Sequence, residues 1–524
     1  MRNFIVIVFW TFCFVQLYGQ TASQPLELPN FIIEGKEQID VQIGTKQTPF
    51  FPTYLSRGTI DSLIVVEKPR NYIIFPVKFP ETVIARKFPS GFLSGSLGSF
   101  LTGNLNFGYS INYHDYDIFT FGDINASKGH LENAGYMKIK IGAQSEYLAP
   151  DKFYIFGGSK TTTNLELNYR NYKLYAINTA PKRSQLDFGA NVTSVGNFEG
   201  FDFRTGGRLG IFHQGGGGKD LNENTIGGFL EVQNSYIKNQ YGGRVSVDFR
   251  SFEGNSANFF EIAGFYKFEI NHVDIKPEIG LQLAHSSKGN TEPMVLVALL
   301  IEKNINENLA VFGGFSNRLK NKSFHNFAFE NPYLSDSTYL DYTNFTEISG
   351  NLKFQPTKDF TTAFGTKFIY AKRYPVFLNS STETFKLDYL DATFFEIYAE
   401  GYRIVPSVGD FSGRIDLDIS TLTSNKNEVP YTPMLKVRLD YRRKFFEKVF
   451  LNAFAEYIGK RYADAENRVQ LDAYNNLGLL VEYSISNLWF ASFEIQNLLN
   501  SNVMVWNNYK ERGQNFQFNL TYKF

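Results

Sequence analysis

Acidic and basic side chains occur two residues apart in several segments towards the end of the chain. This spacing puts the charges of a β-strand on one face. Charges of both signs on one face form cross-strand ion pairs, and inside a barrel they can border a permeation path. Because the signs are mixed, they indicate no clear ion selectivity. The candidate lumen-lining residues are Asp416, Asp418, Lys436, Arg438, Asp440, Arg442, Glu456, Glu482 and Glu494.

Residues that commonly perform catalysis or bind metals form no recognisable motif. None of the six histidines belongs to an H-x-x-x-H or H-E-x-x-H pattern, so no zinc site is predicted. The run from Gly91 to Gly95 superficially resembles a nucleophile elbow, but we predict that Ser94 lies in the first strand. Gly215–Gly218 lacks the Lys-Ser/Thr continuation of a phosphate-binding loop and indicates an external turn. We therefore predict no enzyme activity, catalytic residue, cofactor or metal.

Strict alternation of polar and apolar residues indicates that strands carry these charges. From Leu435 to Arg442, and again from Phe516 to Phe524, every second residue is apolar. Lys or Arg on the lipid face of a transmembrane barrel costs roughly 2–4 kcal/mol at the bilayer midplane. The charges avoid the apolar face, as such a barrel requires.

Loop lengths distinguish a membrane barrel from a soluble β-sandwich or β-helix. The strands of those soluble folds would also show alternating polar and apolar residues. Breaks between strands are long and short in turn, as in bacterial outer-membrane barrels. The long breaks are Leu319–Thr343, Lys372–Asp391, Leu422–Thr432, Lys460–Asp472 and Asn500–Gly513. After residue 19 the longest apolar run is Val295–Ile301, too short for a helical span. We predict an all-β fold, a transmembrane antiparallel β-barrel of about 22 strands over residues 90–524, with a short N-terminal periplasmic arm.

The N-terminal part of the chain has the pattern of an export signal followed by an arm. A short basic start, an apolar stretch and a small residue at Gly19 predict a signal peptide over residues 1–19. The only cysteine, Cys13, lies within it, so the predicted mature chain has no thiol. Residues 20–89 are rich in proline, which excludes long helices and central strands. This periplasmic arm either enters the barrel mouth, adds a strand to a partner, or is a poorly ordered linker.

Composition agrees with a membrane barrel and excludes other classes. The 52 basic residues balance 52 acidic ones, so no nucleic-acid partner is expected. Mean hydropathy is −0.24, which argues against a helical membrane protein. Aromatic residues make up 17% of the chain, more than a soluble core needs. Tyr and Phe at strand ends would form the aromatic girdles of a membrane barrel.

The C-terminal motifs resemble those of TonB-dependent receptors. The run Ile495–Asn500, the aromatic segment Trp506–Tyr509, and Gly513–Phe516 are similar to the end of such a barrel. Tyr522 and Phe524 resemble the signal read by the outer-membrane assembly machinery. TonB-dependent receptors carry a plug of well over a hundred residues, whereas only 71 residues lie from Gln20 to Ser90.

The overall layout therefore resembles plugless, TonB-receptor-like barrels of the Bacteroidetes type. Two short runs, Glu81–Ala85 and Asp61–Val66, are similar to a TonB box, although ordinary strands have the same composition.

The resemblance implies passage or uptake of a solute across the outer membrane, through a lumen without a full plug. Leu319–Thr343 and Lys372–Asp391, or the arm, would narrow access, and the aromatic residues of Leu319–Thr343 would cap the pore, contact a ligand, or simply form an aromatic surface loop. The alternative is a structural barrel that docks a surface lipoprotein or secretion complex and transports nothing. Expected partners are outer-membrane lipids and the assembly machinery, with a TonB system or a surface lipoprotein left open. The expected location is the outer membrane.

Overall fold

The computed structural model describes residues 91–524 except 154–155, 217, 237–238, 381–382 and 447. The predicted signal peptide, 1–19, and the predicted arm, 20–89, lie outside the described residues. We number the 22 barrel strands in chain order. They are β1 Gly91–Gly98, β2 Thr102–Tyr113, β3 Tyr116–Ser127, β4 Tyr136–Leu148, β5 Lys160–Lys173, β6 Lys182–Phe198, β7 Phe201–Gly215, β8 Leu221–Tyr236, β9 Asn239–Phe252, β10 Phe259–Ile270, β11 Val273–His285, β12 Thr291–Asn306, β13 Leu309–Asn321, β14 Tyr342–Thr357, β15 Phe360–Asn379, β16 Phe385–Val405, β17 Gly409–Leu422, β18 Leu435–Phe445, β19 Val449–Ile458, β20 Tyr474–Ser484, β21 Trp489–Gln496 and β22 Asn515–Lys523.

Each strand pairs antiparallel with the next one in the chain, and the last strand pairs with the first. At this closure, seven residue pairs run from Phe92 opposite Lys523 to Gly98 opposite Gln517. The backbone amides of Gly91 and Phe524 each donate to the other residue's carbonyl, at 2.9 and 3.0 Å. The predicted all-β transmembrane barrel of about 22 strands, beginning near Gly91, is confirmed.

The two faces of the sheet differ in polarity, as the alternation in the sequence predicts. On β22, Phe516 and Phe518 are 54% and 53% exposed, whereas Asn519 and Thr521 are 2% and 0% exposed. The exposed apolar set forms the outer wall, where hydrocarbon replaces water. Aromatic pairs mark its edge, such as Tyr116 with Tyr147 at 4.4 Å between ring centroids.

Connections differ between the two ends of the barrel. Those from even- to odd-numbered strands have two to four residues, apart from 149–159, and we call this end the turn rim. Asn271 and His272 both have positive φ, 50° and 59°, as a two-residue type I′ hairpin turn requires. The opposite end, which carries the longest connections, is the loop rim.

One predicted long loop is instead regular structure. Residues Lys372–Asp391 extend β15 and β16 as a hairpin, paired from Tyr374 opposite Leu390 to Asn379 opposite Phe385, so the connection is only 380–384. Pro375, which has no amide hydrogen to donate, lies within this hairpin opposite Tyr389, and the pairing of its neighbours continues on both sides.

The longest connection contains a helix. Residues 322–341 join β13 to β14 and include α1, Phe324–Glu330, whose N-cap Ser323 accepts a hydrogen bond from the Asn326 amide at 3.1 Å. Four short strands, Arg461–Tyr462 with Gln470–Leu471 and Met504–Trp506 with Tyr509–Lys510, form two small hairpins at the loop rim. No helix among residues 91–524 as described is long and apolar enough to cross a membrane.

Candidate functional site: a capped polar interior

The connections at the loop rim pack against one another in an apolar cluster, which we call the cap. It combines residues of 174–181, 322–341, 423–434, 459–473 and 497–514 with the tip of the β15–β16 hairpin. Its largest fully buried side chains include Trp506, Tyr333, Tyr431 and Tyr509. Burial of this apolar surface away from water stabilises the closed arrangement.

Three tyrosines from widely separated strands meet in the cap. Tyr333 stacks on Tyr509 with ring centroids 3.5 Å apart, and Tyr175 meets them edge-on at 6.1 and 5.1 Å. Their loops follow β5, β13 and β21, which are separated by eight, eight and six strands around the closed barrel. A 22-strand barrel is roughly 40 Å across, from the usual strand spacing and tilt. Three points so spaced on the rim meet only near the barrel axis, so the cap spans the mouth.

Trp506 packs against several other aromatic rings of the cap. Its ring lies 5.1 Å from Phe377 and 5.3 Å from Phe385, both on the long hairpin, and 4.8 Å from Tyr431. The neighbouring Tyr509 hydroxyl donates to the Glu383 carbonyl at the hairpin tip, at 2.9 Å. Two predicted entrance-narrowing segments, 319–343 and 372–391, are therefore both parts of the cap.

A buried carboxylate on the barrel wall holds the beginning of α1. Glu223 on β8 accepts hydrogen bonds from the backbone amides of Phe324 and His325, at 3.0 and 2.8 Å. Arg250 on β9 lies 3.1 Å from Glu223 and 3.1 Å from Asp248. Side chains on the wall thus fix a segment that originates five strands away. Because that segment lies within the mouth, the face carrying Glu223 is the inner one.

Two buried arginines hold other cap segments through backbone carbonyls, one from the barrel wall and one from within the cap. Arg183 on β6 donates to the Pro332 carbonyl at 3.2 Å and to the Leu334 carbonyl at 2.5 Å. Arg461 donates to the Met504 carbonyl and, at 3.5 Å, to that of Asp472. Burial lowers the pKa of the Arg461 guanidinium, and the Tyr474 and Tyr431 hydroxyls partly offset this decrease. Such donors satisfy carbonyls that would otherwise be buried without partners.

Burial also changes the acidity of the tyrosine hydroxyls in the cap. It raises the pKa of Tyr333, Tyr431 and Tyr509 well above the ordinary tyrosine value, because a phenolate would lose its hydration there. The closed cap therefore requires these tyrosines to be neutral.

The nine predicted lumen residues lie on adjacent strands β17 to β21. Register puts all of them on the face opposite the exposed apolar residues, which is the inner face. Lys436 bonds Asp418 at 2.8 Å, and Arg438 lies 3.0 Å from Asp440 and 3.8 Å from Glu456. Asp416 pairs with Arg414 at 2.7 Å. Arg442 lies opposite Asp410, while Glu482 and Glu494 lie one and two strands beyond β19 and form no pair with this group.

A repeated arrangement lies on the inner face at one height. Five times, an aromatic ring covers a glycine of the adjacent strand, and a basic side chain lies over the ring. The aromatic residues are five or seven residues from the turn-rim end of their strands. We call this set the inner girdle. Its members, as ring, glycine and cation, are Phe121, Gly142 and Lys140; Phe229, Gly206 and Arg204; Phe265, Gly242 and Lys276; Tyr398, Gly365 and Arg414; and Phe454, Gly478 and Arg438.

Only glycine fits at these positions of the inner girdle, because a side chain would collide with the neighbouring ring. A Cβ at Gly365 would lie 2.1 Å from Tyr398 Cε1, and one at Gly478 would lie 2.2 Å from Phe454 Cε1. The cations stand 4.0 to 5.6 Å from the ring centroids, within the range of cation–π attraction. The girdle is therefore a set of side chains with fixed positions on the inner wall.

Only part of this interior is predicted by the sequence. Arg438, Glu456, Asp416 and Asp440 were among its candidates, but Glu223, Arg250 and the girdle aromatics were not. Asp248 and Arg250 show the same two-residue spacing as Asp416 and Asp418, so the signal existed on β9. The pairing of rings with glycines depends on register between strands, which spacing along one strand does not reveal. Residues 91–524, as far as described, contain no cluster of three or more His, Cys, Asp or Glu suited to a metal ion.

The predicted assembly residues lie at the closure of the barrel. Tyr522 and Phe524 have ring centroids 5.7 Å apart, and Tyr522 also lies 4.8 Å from Trp489. Phe524 is the residue whose backbone pairs with Gly91.

Comparison with known proteins relates the chain to barrel receptors in fold. In sequence, it matches no family model and no curated relative. Among solved structures it is similar to the FrpB iron transporter from Neisseria meningitidis, with TM-score 0.67, 7% identity, and 84% of this chain and 82% of that one covered. It is also similar to the ferric-catecholate import receptor Fiu from E. coli K12, with TM-score 0.62, 9% identity, and 84% and 82% covered. FpvA from P. aeruginosa, in complex with a ferric pyoverdine, gives TM-score 0.64, 11% identity, and 84% and 72% covered. At these identities, what the chain shares with them is the fold of a large closed barrel.

Proposed function

We propose that this chain is an outer-membrane barrel that mediates passage or uptake of a solute. The observation that carries the proposal is the polar inner wall closed at one rim by a packed cap. A purely structural barrel has no need of a charged interior shut off by loops from around its circumference. The exposed apolar wall supports placement in a membrane, and the export signal expected over residues 1–19 supports the outer one.

The solute path runs along the inner face, with the cap as its gate on the loop-rim side. The nine charged residues from Asp416 to Glu494 border this path. Glu223 and Arg183 anchor the gate, and the tyrosine cluster latches it. The similarity in fold to iron-uptake receptors supports uptake as the type of activity, and the interior supports passage of a polar solute.

The proposal extends to the segment before the barrel and to partners. Residues 20–89, rather than a full plug, would regulate the turn-rim side, either alone or through a TonB system. Tyr522 and Phe524 would present the assembly signal. We propose no enzymatic step.

The test is solute passage through the purified barrel in planar bilayers and liposomes. The lid-deleted variant has residues 323–340 replaced by a short Gly-Ser linker, and it is measured with and without residues 20–89. We expect the intact chain to conduct rarely and the lid-deleted variant to conduct continuously. A lid-deleted barrel that folds but never conducts, even without residues 20–89, contradicts the proposal.

The second candidate function is a docking barrel for a surface lipoprotein or secretion complex. The rigid cap favours it, because packed loops offer a fixed outward surface. Pull-down of a partner by the intact chain, lost in the lid-deleted variant and accompanied by no conductance in any variant, would support docking instead.

A further inference from the structure

Four of the five cations of the inner girdle lie beside at least one carboxylate. Lys140 bonds Glu166 at 2.8 Å, and Arg414 bonds Glu400 at 2.8 Å. Arg204 lies 3.6 Å from Glu231, and Arg438 lies 3.8 Å from Glu456. Four cations at one height therefore have a carboxylate beside them as well as a ring beneath them.

This arrangement leaves polar atoms available to a passing molecule. The Arg414 and Arg438 side chains are 38% and 44% exposed, and their acidic neighbours Glu400 and Glu456 are 24% and 17% exposed. A molecule at this height meets hydrogen-bond donors and acceptors side by side. It meets charges of both signs close together, with Asp416 and Asp440 as second carboxylates beside Arg414 and Arg438, so a free cation or anion gains little net attraction.

The rings and glycines keep these groups in place. A guanidinium lying on an aromatic face and bonded to a carboxylate has few alternative positions, so its donors are aimed before a solute arrives. The ring in turn rests against a glycine that has no side chain to displace it. Preorganised donors and acceptors select by hydrogen-bond pattern, whereas mobile charges on open walls select by sign.

Resting on the proposed solute passage, we propose that the inner girdle is the selectivity ring of the barrel and that the solute is an uncharged or zwitterionic polar molecule. The cap controls access, while the girdle discriminates between solutes. The opposite charges of each pair suppress ion selectivity that either partner alone would create.

The test uses the lid-deleted variant in planar bilayers under a KCl gradient, in the full chain and without residues 20–89. We expect a Cl⁻ to K⁺ permeability ratio near unity. Removing three carboxylates beside the girdle cations, with Glu231→Gln, Glu400→Gln and Glu456→Gln, shifts the ratio towards Cl⁻ by at least about twofold, because three negative charges are lost while every cation remains. Removing three girdle cations, with Arg204→Gln, Arg414→Gln and Arg438→Gln, shifts it towards K⁺.

Matched controls change the same number of charges at the loop rim. Glu253→Gln, Glu292→Gln and Glu466→Gln remove carboxylates paired with Lys219, Arg373 and Arg468. These changes leave the ratio near unity. In liposomes, a small neutral sugar enters faster than an anion or a cation of similar size, and this preference declines in both girdle variants.

The two proposals fail in distinguishable ways. A lid-deleted barrel that conducts with the same ion ratio in both girdle variants overturns the selectivity ring and leaves solute passage standing. A folded lid-deleted barrel without conductance overturns both. Heat-modifiable migration on gels checks folding of each variant, and opposite shifts in the two girdle variants exclude a general loosening of the wall.

Discussion

The rings of Tyr333 and Tyr509 are stacked, with centroids 3.5 Å apart and planes within 16°, although their loops leave the barrel eight strands apart. Tyr333→Ala removes the stack and its edge contact with Tyr175. Aromatic pairs contribute about 0.5–1.5 kcal/mol beyond burial, so we expect openings of the cap to become at least about threefold to tenfold more frequent, with the lost burial of the ring adding to this effect. Single-channel recordings measure this frequency. Tyr333→Phe, which keeps the ring, should resemble the original chain, and equal opening in both variants would exclude stacking as the latch.

Glu223→Gln tests the wall anchor of α1. The amide still accepts one hydrogen bond, but Arg250 loses a buried negative partner and one helix amide loses its acceptor. We expect the cap to be destabilised by about 1–3 kcal/mol. Limited proteolysis after Lys322 reports the opening, since this residue precedes α1. Glu231→Gln, on the same strand but beside Arg204 of the inner girdle, is the control and should leave the cleavage rate unchanged.

Alkaline pH should open the cap. A tyrosine whose pKa is raised in the closed state favours closure while it is neutral. That contribution is fully present below the ordinary pKa of 10.0 and is lost as the pH rises above it, because only the open state ionises readily. We expect conductance to increase as the pH rises above about 10.

Tyrosinate absorbance should rise together with that conductance. Tyr333→Phe combined with Tyr509→Phe removes two of the ionising groups and should weaken the alkaline response. An unchanged response in this variant would assign the opening to other groups.

Gly365→Ala tests the close packing of the inner girdle. The added Cβ would lie 2.1 Å from the Tyr398 ring and 2.3 Å from Asn351 Oδ1. The ring must move and take Arg414 with it, at a cost of about 1–3 kcal/mol for overpacking. The unfolding temperature of the purified barrel measures this cost. Gly313→Ala is the matched control, because a Cβ there meets nothing within 4 Å.

Phe524→Ala tests the proposed assembly signal. Its backbone still pairs with Gly91, while the ring contacts with Tyr522 and Tyr109 disappear. We expect less folded barrel in the outer membrane, with little change in the stability of the fraction that folds. Membrane fractionation and heat-modifiable gel migration measure both quantities. Phe446→Ala, which removes a highly exposed aromatic residue at the turn rim, should leave the yield unchanged.

Alternation along single strands predicted the barrel because side chains of a strand have a period of two. Leu435–Arg442 and Phe516–Phe524 show it clearly, and the structure places both as strands with an apolar outer face. The same signal predicted that Lys436 and Asp418 share the polar face. It did not predict that they bond diagonally across β17 and β18. Pairs such as Tyr398 with Gly365 depend on register across a hairpin, and Tyr333 with Tyr509 depends on the closure of the entire barrel. Neither relationship has a local pattern in the sequence.

The meeting of Tyr175, Tyr333 and Tyr509 near the barrel axis makes the lengths of their loops interdependent. A loop that lost residues would no longer reach the centre, and one that gained residues would displace the other two. Related chains that keep the closed mouth should therefore vary these three loop lengths together, while the turns at the opposite rim vary independently. Such joint variation would identify barrels with the same type of gate even where no residue of the latch is retained.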